Sequence, residues 1–283
     1  MNYTEEATLF ACEGHTLFGI LAKPEAPKDI GVVVIVGGPQ YRAGSHRQFV
    51  LLSRVLAVAG YAVLRFDYRG MGDSEGPPRD FEAVTQDVAA AIDAMHLRIP
   101  TMKKVALWGL CDGASAALLY CHERQDPRVA GLVLLNPWVR SDASLARTQV
   151  KHYYSQRLRQ KEFWLKLVRG QVAAHAVAGL VRSLKSVFAS TSEQATGDRH
   201  LTFQQRMAAA WRQFDGKILL ILSGDDYTAK EFLEYVAADA VWSASLAKPY
   251  VNRHDLPDAD HTFSSPDSDR SMVQLTLGWF EQS

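Results

Sequence analysis

Cysteine is scarce in this 283-residue chain: there are three, Cys12, Cys111 and Cys121, an odd number without C-x-x-C or metal-ligand spacing. A disulfide framework and a zinc site are therefore not expected, and nothing in the pattern calls for a metal or another cofactor. Long apolar runs are missing too, so no transmembrane segment is expected. Met1 to Glu6 is acidic and no signal-peptide core follows it, which leads us to expect a cytoplasmic protein. Net charge is absent, with 31 Lys+Arg against 31 Asp+Glu, so no global basic field draws the chain to nucleic acid. Nucleotide-binding glycine patterns are lacking as well. Gly70-Met71-Gly72 follows a strand-like run, but no G-x-G-x-x-G or P-loop appears and no ribose-binding acid stands about twenty residues on.

What is present is core. With 47% hydrophobic residues the chain can bury a substantial interior, and one large domain carrying an insertion fits better than two independent ones.

The organising stretch is Val105 to Ser115, where an apolar run stops at Gly109-Leu110-Cys111-Asp112-Gly113 and a helical pattern begins. This is the pattern of a nucleophile elbow, G-x-S-x-G, with cysteine in the third place. Such a turn forces a strained backbone on the nucleophile, and Gly109 and Gly113 sit where a Cβ would collide. A thiol is more acidic than a hydroxyl, and a helix start and a nearby imidazole favour its thiolate further. The bland alternative is a small buried cysteine at a strand end.

In chain order, Thr8 to Phe10 and Thr16 to Ala22 flank Gly14 as an edge hairpin. Ile30 to Val36 is apolar on both faces, as a strand between helix layers is. It ends in Gly37-Gly38-Pro39-Gln40, where Pro39 has no N–H to donate. A helix from Phe49 to Ala59 closes at Gly60, and the strand Tyr61 to Phe66 runs into Asp67-Tyr68-Arg69-Gly70-Met71-Gly72-Asp73-Ser74. A helix is expected from about Phe81 to Met95. Val129 to Pro137 and Lys217 to Ser223 are further buried strands. Alternating strands and helices imply a parallel sheet with right-handed crossovers. The expected fold class is α/β: a mostly parallel sheet flanked by helices.

Residues 138–216 are far too long for a simple crossover and read as a helical cap inserted into a core of 1–137 and 217–283. From Trp138 to Asp215 there are 13 basic and 5 acidic residues, while the remainder holds 18 and 26. A basic cap would favour an anionic or carrier-bound acyl substrate. Amphipathic helices over Phe163 to Arg169 and Val177 to Phe188 would instead touch an anionic membrane surface, and the plain alternative is a solvated face.

A nucleophile needs a base, and the base a carboxylate, which in this architecture follow in the order nucleophile, acid, histidine on loops after strands. Ser223-Gly224-Asp225-Asp226 offers two acids. Asp226 stands farther along the loop and is preferred, with Asp225 as competitor, and either can simply cap the helix starting near Thr228. His261 follows a short strand around Tyr250 to Leu256 and precedes the terminal helix. The other eight histidines lie where the order does not ask for one.

The elbow, the Asp67–Ser74 loop, which matches D-x-R-G-x-G-x-S, and the acid–histidine order together resemble the α/β-hydrolase superfamily across nearly the whole chain. In that family the Asp67–Ser74 type of loop is mostly architectural. Val36-Gly37-Gly38-Pro39-Gln40 resembles the H-G-G-P-G loop of some members, although valine replaces the histidine and glutamine the last glycine. By that match the N–H groups of Gly38 and Asp112 form an oxyanion hole. The cysteine is similar to that of dienelactone hydrolases. Gly109 to Ser115, the Gly-Gly-Pro loop and Thr228 to Phe232 resemble the hydrolase 1 family associated with the exosortase A system, which implies a surface-polymer setting. The reading is a hydrolase of carboxylic esters or thioesters using Cys111, His261 and Asp226 through an acyl-enzyme. An acyltransferase to an exopolysaccharide or other alcohol, and a non-catalytic binding protein on the same fold, remain the alternatives.

Overall fold

The computed structural model describes residues 2–38, 40–140 and 201–282. The chain divides into two compact units, Met1–Trp138 with Leu201–Ser283, and Val139–His200. The first is the α/β unit. The second falls almost wholly outside the described residues, as do both proposed cap helices and Pro39.

The α/β unit is built on an eight-stranded sheet in the order β1-β2-β4-β3-β5-β6-β7-β8. Strands β1 (Tyr3–Cys12) and β2 (His15–Pro24) form the expected hairpin. Its two-residue turn, Glu13-Gly14, has positive φ at both positions (46° and 82°), the backbone that matches the twist of the strands it joins. β2 pairs antiparallel with β4 (Val63–Asp67). From β4 onward every pairing is parallel, through β3 (Ile30–Ile35), β5 (Lys104–Leu110), β6 (Val129–Leu135), β7 (Lys217–Asp225) and β8 (Val251–Asp260). The C-terminal ends of these six strands therefore share one edge of the sheet, where ligands bind in open α/β folds.

The central strands read as near-continuous apolar runs because both their faces are covered. One face carries Val34, Trp108, Val133 and Leu219. Against it pack Phe49, Leu52 and Leu56 of α1 (Gln48–Val58) and Met272, Val273 and Phe280 of the terminal helix (Pro266–Glu281). Phe49 meets Trp108 edge-on at 5.5 Å between ring centroids. Each fully buried aliphatic or aromatic side chain here contributes about 1.5–3 kcal/mol. On the other face lie α2 (Thr85–Arg98) and α3 (Asp112–Arg124).

Three segments differ from expectation. Phe81–Ala83 is a separate 3₁₀ turn capped by Asp80, whose carboxylate accepts from the Glu82 N–H, and α2 begins only at Thr85. Apolar spacing cannot reveal that break, since Val84, Val88, Ala91 and Ile92 keep the helical period across it. β8 continues to Asp260 and so delivers the chain directly to His261. Finally, α4 (Phe203–Gln213), inside the stretch expected as cap, belongs to the α/β unit and packs on α3. Phe203 meets Phe81 edge-on, and Arg206 reaches Glu82 and Glu123.

Candidate active site

β5 enters the turn at Gly109 and α3 leaves it at Asp112, with Cys111 between them at φ 59°, ψ −126°. Positive φ on a residue with a Cβ is strained and persists only where the surroundings fix it. Here a Cβ on Gly109 would strike the backbone of Gly113, and one on Gly113 would strike the carbonyl of Ile35. The Cys111 N–H donates to the Leu135 carbonyl at 2.9 Å, and the Cys111 carbonyl accepts from Ala114 N–H at 3.0 Å. Both ends of the turn are held while the side chain stays partly exposed; Cys12 and Cys121, by contrast, are buried.

Asp226 and His261 are brought together. His261 Nδ1 lies 2.8 Å from Asp226 Oδ2, with the Asp226 side chain 7% exposed and that of His261 35% exposed. Asp226 also caps α5 (Tyr227–Ala238), accepting from the N–H groups of Thr228 at 3.0 Å and Ala229 at 3.2 Å. One carboxylate thus both bonds the imidazole and caps a helix. Asp225 is exposed at the end of β7, in register with Asp260 rather than His261.

The loop bearing His261 is held at both ends. The Asp260 carboxylate accepts from the N–H groups of Thr262 and Ser264 and from the Ser264 hydroxyl. Burial pushes its carboxyl up, but the bonds from Ser264 and Thr262 outweigh that and leave it below its ordinary value. His46 Nε2 lies 2.9 Å from the Thr262 carbonyl.

Two residues that sequence reasoning did not single out join these strands. Asn136, fully buried just beyond β6, donates from its amide to the Ser223 hydroxyl at 2.9 Å and the His261 carbonyl at 3.2 Å, and accepts from Ser223 N–H at 2.8 Å. The Ser223 hydroxyl donates to the Asp260 carbonyl at 2.8 Å. Asn136 has φ 44°, a conformation asparagine tolerates better than most residues. An asparagine ending a buried apolar strand was the available signal.

Gly38, at φ 59°, and Asp112 line one cleft of about 430 Å³ together with Tyr68, Arg79 and Phe81. Burial pushes the Asp112 carboxyl up; the nearby N–H groups of Gly38, Gly113 and Asp112 itself offset this in part. None of these reaches Asp112 Oδ1 as a hydrogen bond, and that atom is buried without a partner.

The Asp67–Ser74 loop has the architectural contacts anticipated for it. Buried Asp67 accepts from the N–H of Arg42 at 2.7 Å and of Asp73 at 3.1 Å and pairs with the Arg42 guanidinium. Ser74 accepts from Phe18 N–H at 2.9 Å. Arg69 is clamped by the buried carboxylate of Asp87 at 2.7 Å. Among the described residues no cluster of His, Cys, Asp and Glu is placed to hold a metal ion, and no helix is long and apolar enough to cross a membrane.

A family model described as serine aminopeptidase, S33, matches residues 27–226. The chain belongs to this family of α/β-hydrolases. Among curated relatives it is 37% identical to human protein ABHD12B over 86 residues, 30% of this chain and 23% of that protein. It is 37% identical to the lysophosphatidylserine lipase ABHD12 of Danio rerio over 86 residues, 30% of this chain and 22% of that one. The α/β-hydrolase thus aligns with under a quarter of each of these two relatives. Solved structures match along its whole length. An esterase of Pyrococcus furiosus superposes with a TM-score of 0.65 at 16% identity, covering 99% of this chain and 91% of the other. A dienelactone hydrolase of Anabaena variabilis superposes with a TM-score of 0.63 at 17% identity, covering 100% and 99%. At such identities the likeness establishes the fold.

Proposed function

We propose that this α/β-hydrolase cleaves carboxylic esters or thioesters through a Cys111–His261–Asp226 triad. The observation that carries the reading is the 2.8 Å bond between His261 Nδ1 and Asp226 Oδ2, at the same sheet edge as the positive-φ turn that presents Cys111. With Nδ1 donating to the carboxylate, Nε2 is the free base, the tautomer a general base requires. Relatives named as an esterase and a lipase support ester chemistry, and the Gly109–Ser115 resemblance supports the exosortase-associated setting.

In this mechanism His261 takes the Cys111 proton and the thiolate attacks the carbonyl carbon. The oxyanion accepts from the N–H groups of Gly38 and Asp112. Collapse expels the alcohol or thiol, which leaves with the proton held by His261, and an acyl-thioester remains on Cys111. Water deprotonated by His261 then releases the acid and restores the thiol.

The test is hydrolysis of a panel of p-nitrophenyl esters and acyl thioesters by the wild type and by Cys111→Ala. The reading expects a loss of about 10³-fold or more in kcat/KM for Cys111→Ala. Equal rates for the two proteins would overturn it.

A further inference from the structure

Asp226 orients the His261 side chain; the backbone that carries it is held by other groups. The N–H groups of Thr262 and Ser264 donate to the Asp260 carboxylate at 3.2 and 2.8 Å, and that of Phe263 to the Asp260 carbonyl at 3.2 Å. The carbonyls are held from outside the loop. That of His261 accepts from Asn136, and that of Thr262 from His46, whose Nε2 lies 2.9 Å away. A carbonyl only accepts, so His46 carries a proton on Nε2. The bond spans 216 residues of sequence and stands beside two left-handed residues that have a Cβ. Arg47, at φ 67°, follows His46, and Phe263, at φ 57°, follows Thr262. Such backbones persist only where the surroundings over-determine them.

His46 lies at the far end of the segment between β3 and α1, the one that contains Gly38. That segment is also pinned in its middle: the Arg42 N–H donates to Asp67 at 2.7 Å, and the Arg42 guanidinium pairs with Asp67 and Asp73. It therefore joins the Gly38 donor to the end of β4 through Arg42 and to the histidine loop through His46. Across the bond, the Phe263 side chain is buried in the same core as Phe49 of α1 and Met272 of the terminal helix. Catalytic groups need placement within about 0.5 Å, and a displacement of about 1 Å costs about 100-fold in rate. The carboxyls of Asp260 and Asp269 also feel the charge of a protonated His46, so a neutral donor in its place separates the bond from the charge.

We propose that His46 is a positioning residue: through the Thr262 carbonyl it sets His261 relative to Cys111 and to the Gly38 donor, without touching substrate. This rests on the triad reading above, and the first test therefore uses a reaction that needs the imidazole but no ester. Iodoacetamide alkylates a thiolate rather than a thiol, and Cys12 and Cys121 are buried. Alkylation of the Cys111 peptide is followed by mass spectrometry in the native protein at neutral pH. His46→Ala, and His46→Phe, which keeps a ring but loses the N–H, are each expected to slow it about tenfold. In both, kcat for a p-nitrophenyl ester should fall by about 10–100-fold with KM within about twofold. His46→Gln offers a neutral amide N–H in place of Nε2 and should stay within about threefold of the wild type in both assays. Thermal unfolding shows which variants are folded, and His46→Phe and His46→Gln still decide the matter where His46→Ala is not. Alkylation by the folded His46→Phe protein at the wild-type rate, or a His46→Gln protein as slow as His46→Phe, would overturn the positioning role. Failure of the triad shows separately, as a His261→Ala protein alkylated as fast as the wild type, and it would take the role of His46 with it.

Discussion

One carboxylate does two jobs: Asp226 holds His261 Nδ1 at 2.8 Å through Oδ2 and closes the first turn of α5 through both oxygens. The helix start thereby fixes the orientation of the acid before any imidazole arrives. Asp226→Asn keeps a good helix cap, so stability should change by only a few tenths to about 1 kcal/mol. It removes the charge facing the imidazole, and kcat should fall by about 10³–10⁴-fold. Kinetics and thermal unfolding measured on one preparation separate the two roles. The same substitution at Asp225 should leave kcat within about threefold of the wild type, since its exposed side chain faces neither His261 nor a helix start.

Asn136 is expected to act through His261 without touching substrate. Asn136→Gly removes the amide while keeping the φ 44° backbone accessible. It strips a donor from the His261 carbonyl and the Ser223 hydroxyl and an acceptor from Ser223 N–H. Stability should drop by about 1–3 kcal/mol. The functional signature is a lower kcat at nearly unchanged KM, with the acidic limb of the pH–rate profile displaced; a purely structural role would leave that limb in place.

The elbow itself tolerates no bulk. Gly113→Ala places a methyl against the Ile35 carbonyl, which is fixed by the sheet, and Gly109→Ala one against the Gly113 backbone. Each should cost about 1–3 kcal/mol or more, measured by chemical denaturation, with the larger loss in activity as Cys111 is displaced.

Asp112 makes a pH prediction with a definite sign. Its carboxyl is raised in the folded protein by burial first and by the Asp80 carboxylate as well, against the N–H groups of Gly38, Gly113 and its own backbone. A carboxyl with a raised folded-state pKa favours the folded state while protonated and opposes it once ionised. The penalty therefore grows as pH rises through and above the ordinary aspartate range, about pH 4. Asp112→Asn should have a higher Tm than the wild type at pH 7.5, with the difference disappearing as pH falls below about 4. A difference independent of pH would show that the carboxylate is not desolvated.

Much of this was legible in the chain. The two-sided apolar runs at Ile30–Val36 and Val129–Leu135 announced a buried parallel sheet, and glycines flanking Cys111 announced the turn, because both patterns follow from local sterics. The choice between Asp226 and Asp225 was only partly legible: the orientation of each side chain depends on β7 ending at Asp225 and on the N-terminus of α5. Asn136 and Ser223 escaped notice because their partners lie 87 residues apart in sequence. The family-like loop motif announced Arg69 but not its partner, because Asp87 lies on α2, 18 residues on.

The central claim is that an acyl group passes through the sulfur of Cys111. The most direct measurement is intact-mass analysis, with peptide mapping, of the wild type mixed rapidly with an activated p-nitrophenyl ester and quenched in acid. An adduct of the acyl mass on the peptide containing Cys111, forming more slowly in His261→Ala, is the expected result. Turnover of the ester with no adduct at any quench time, or an adduct retained in Cys111→Ala, would contradict it.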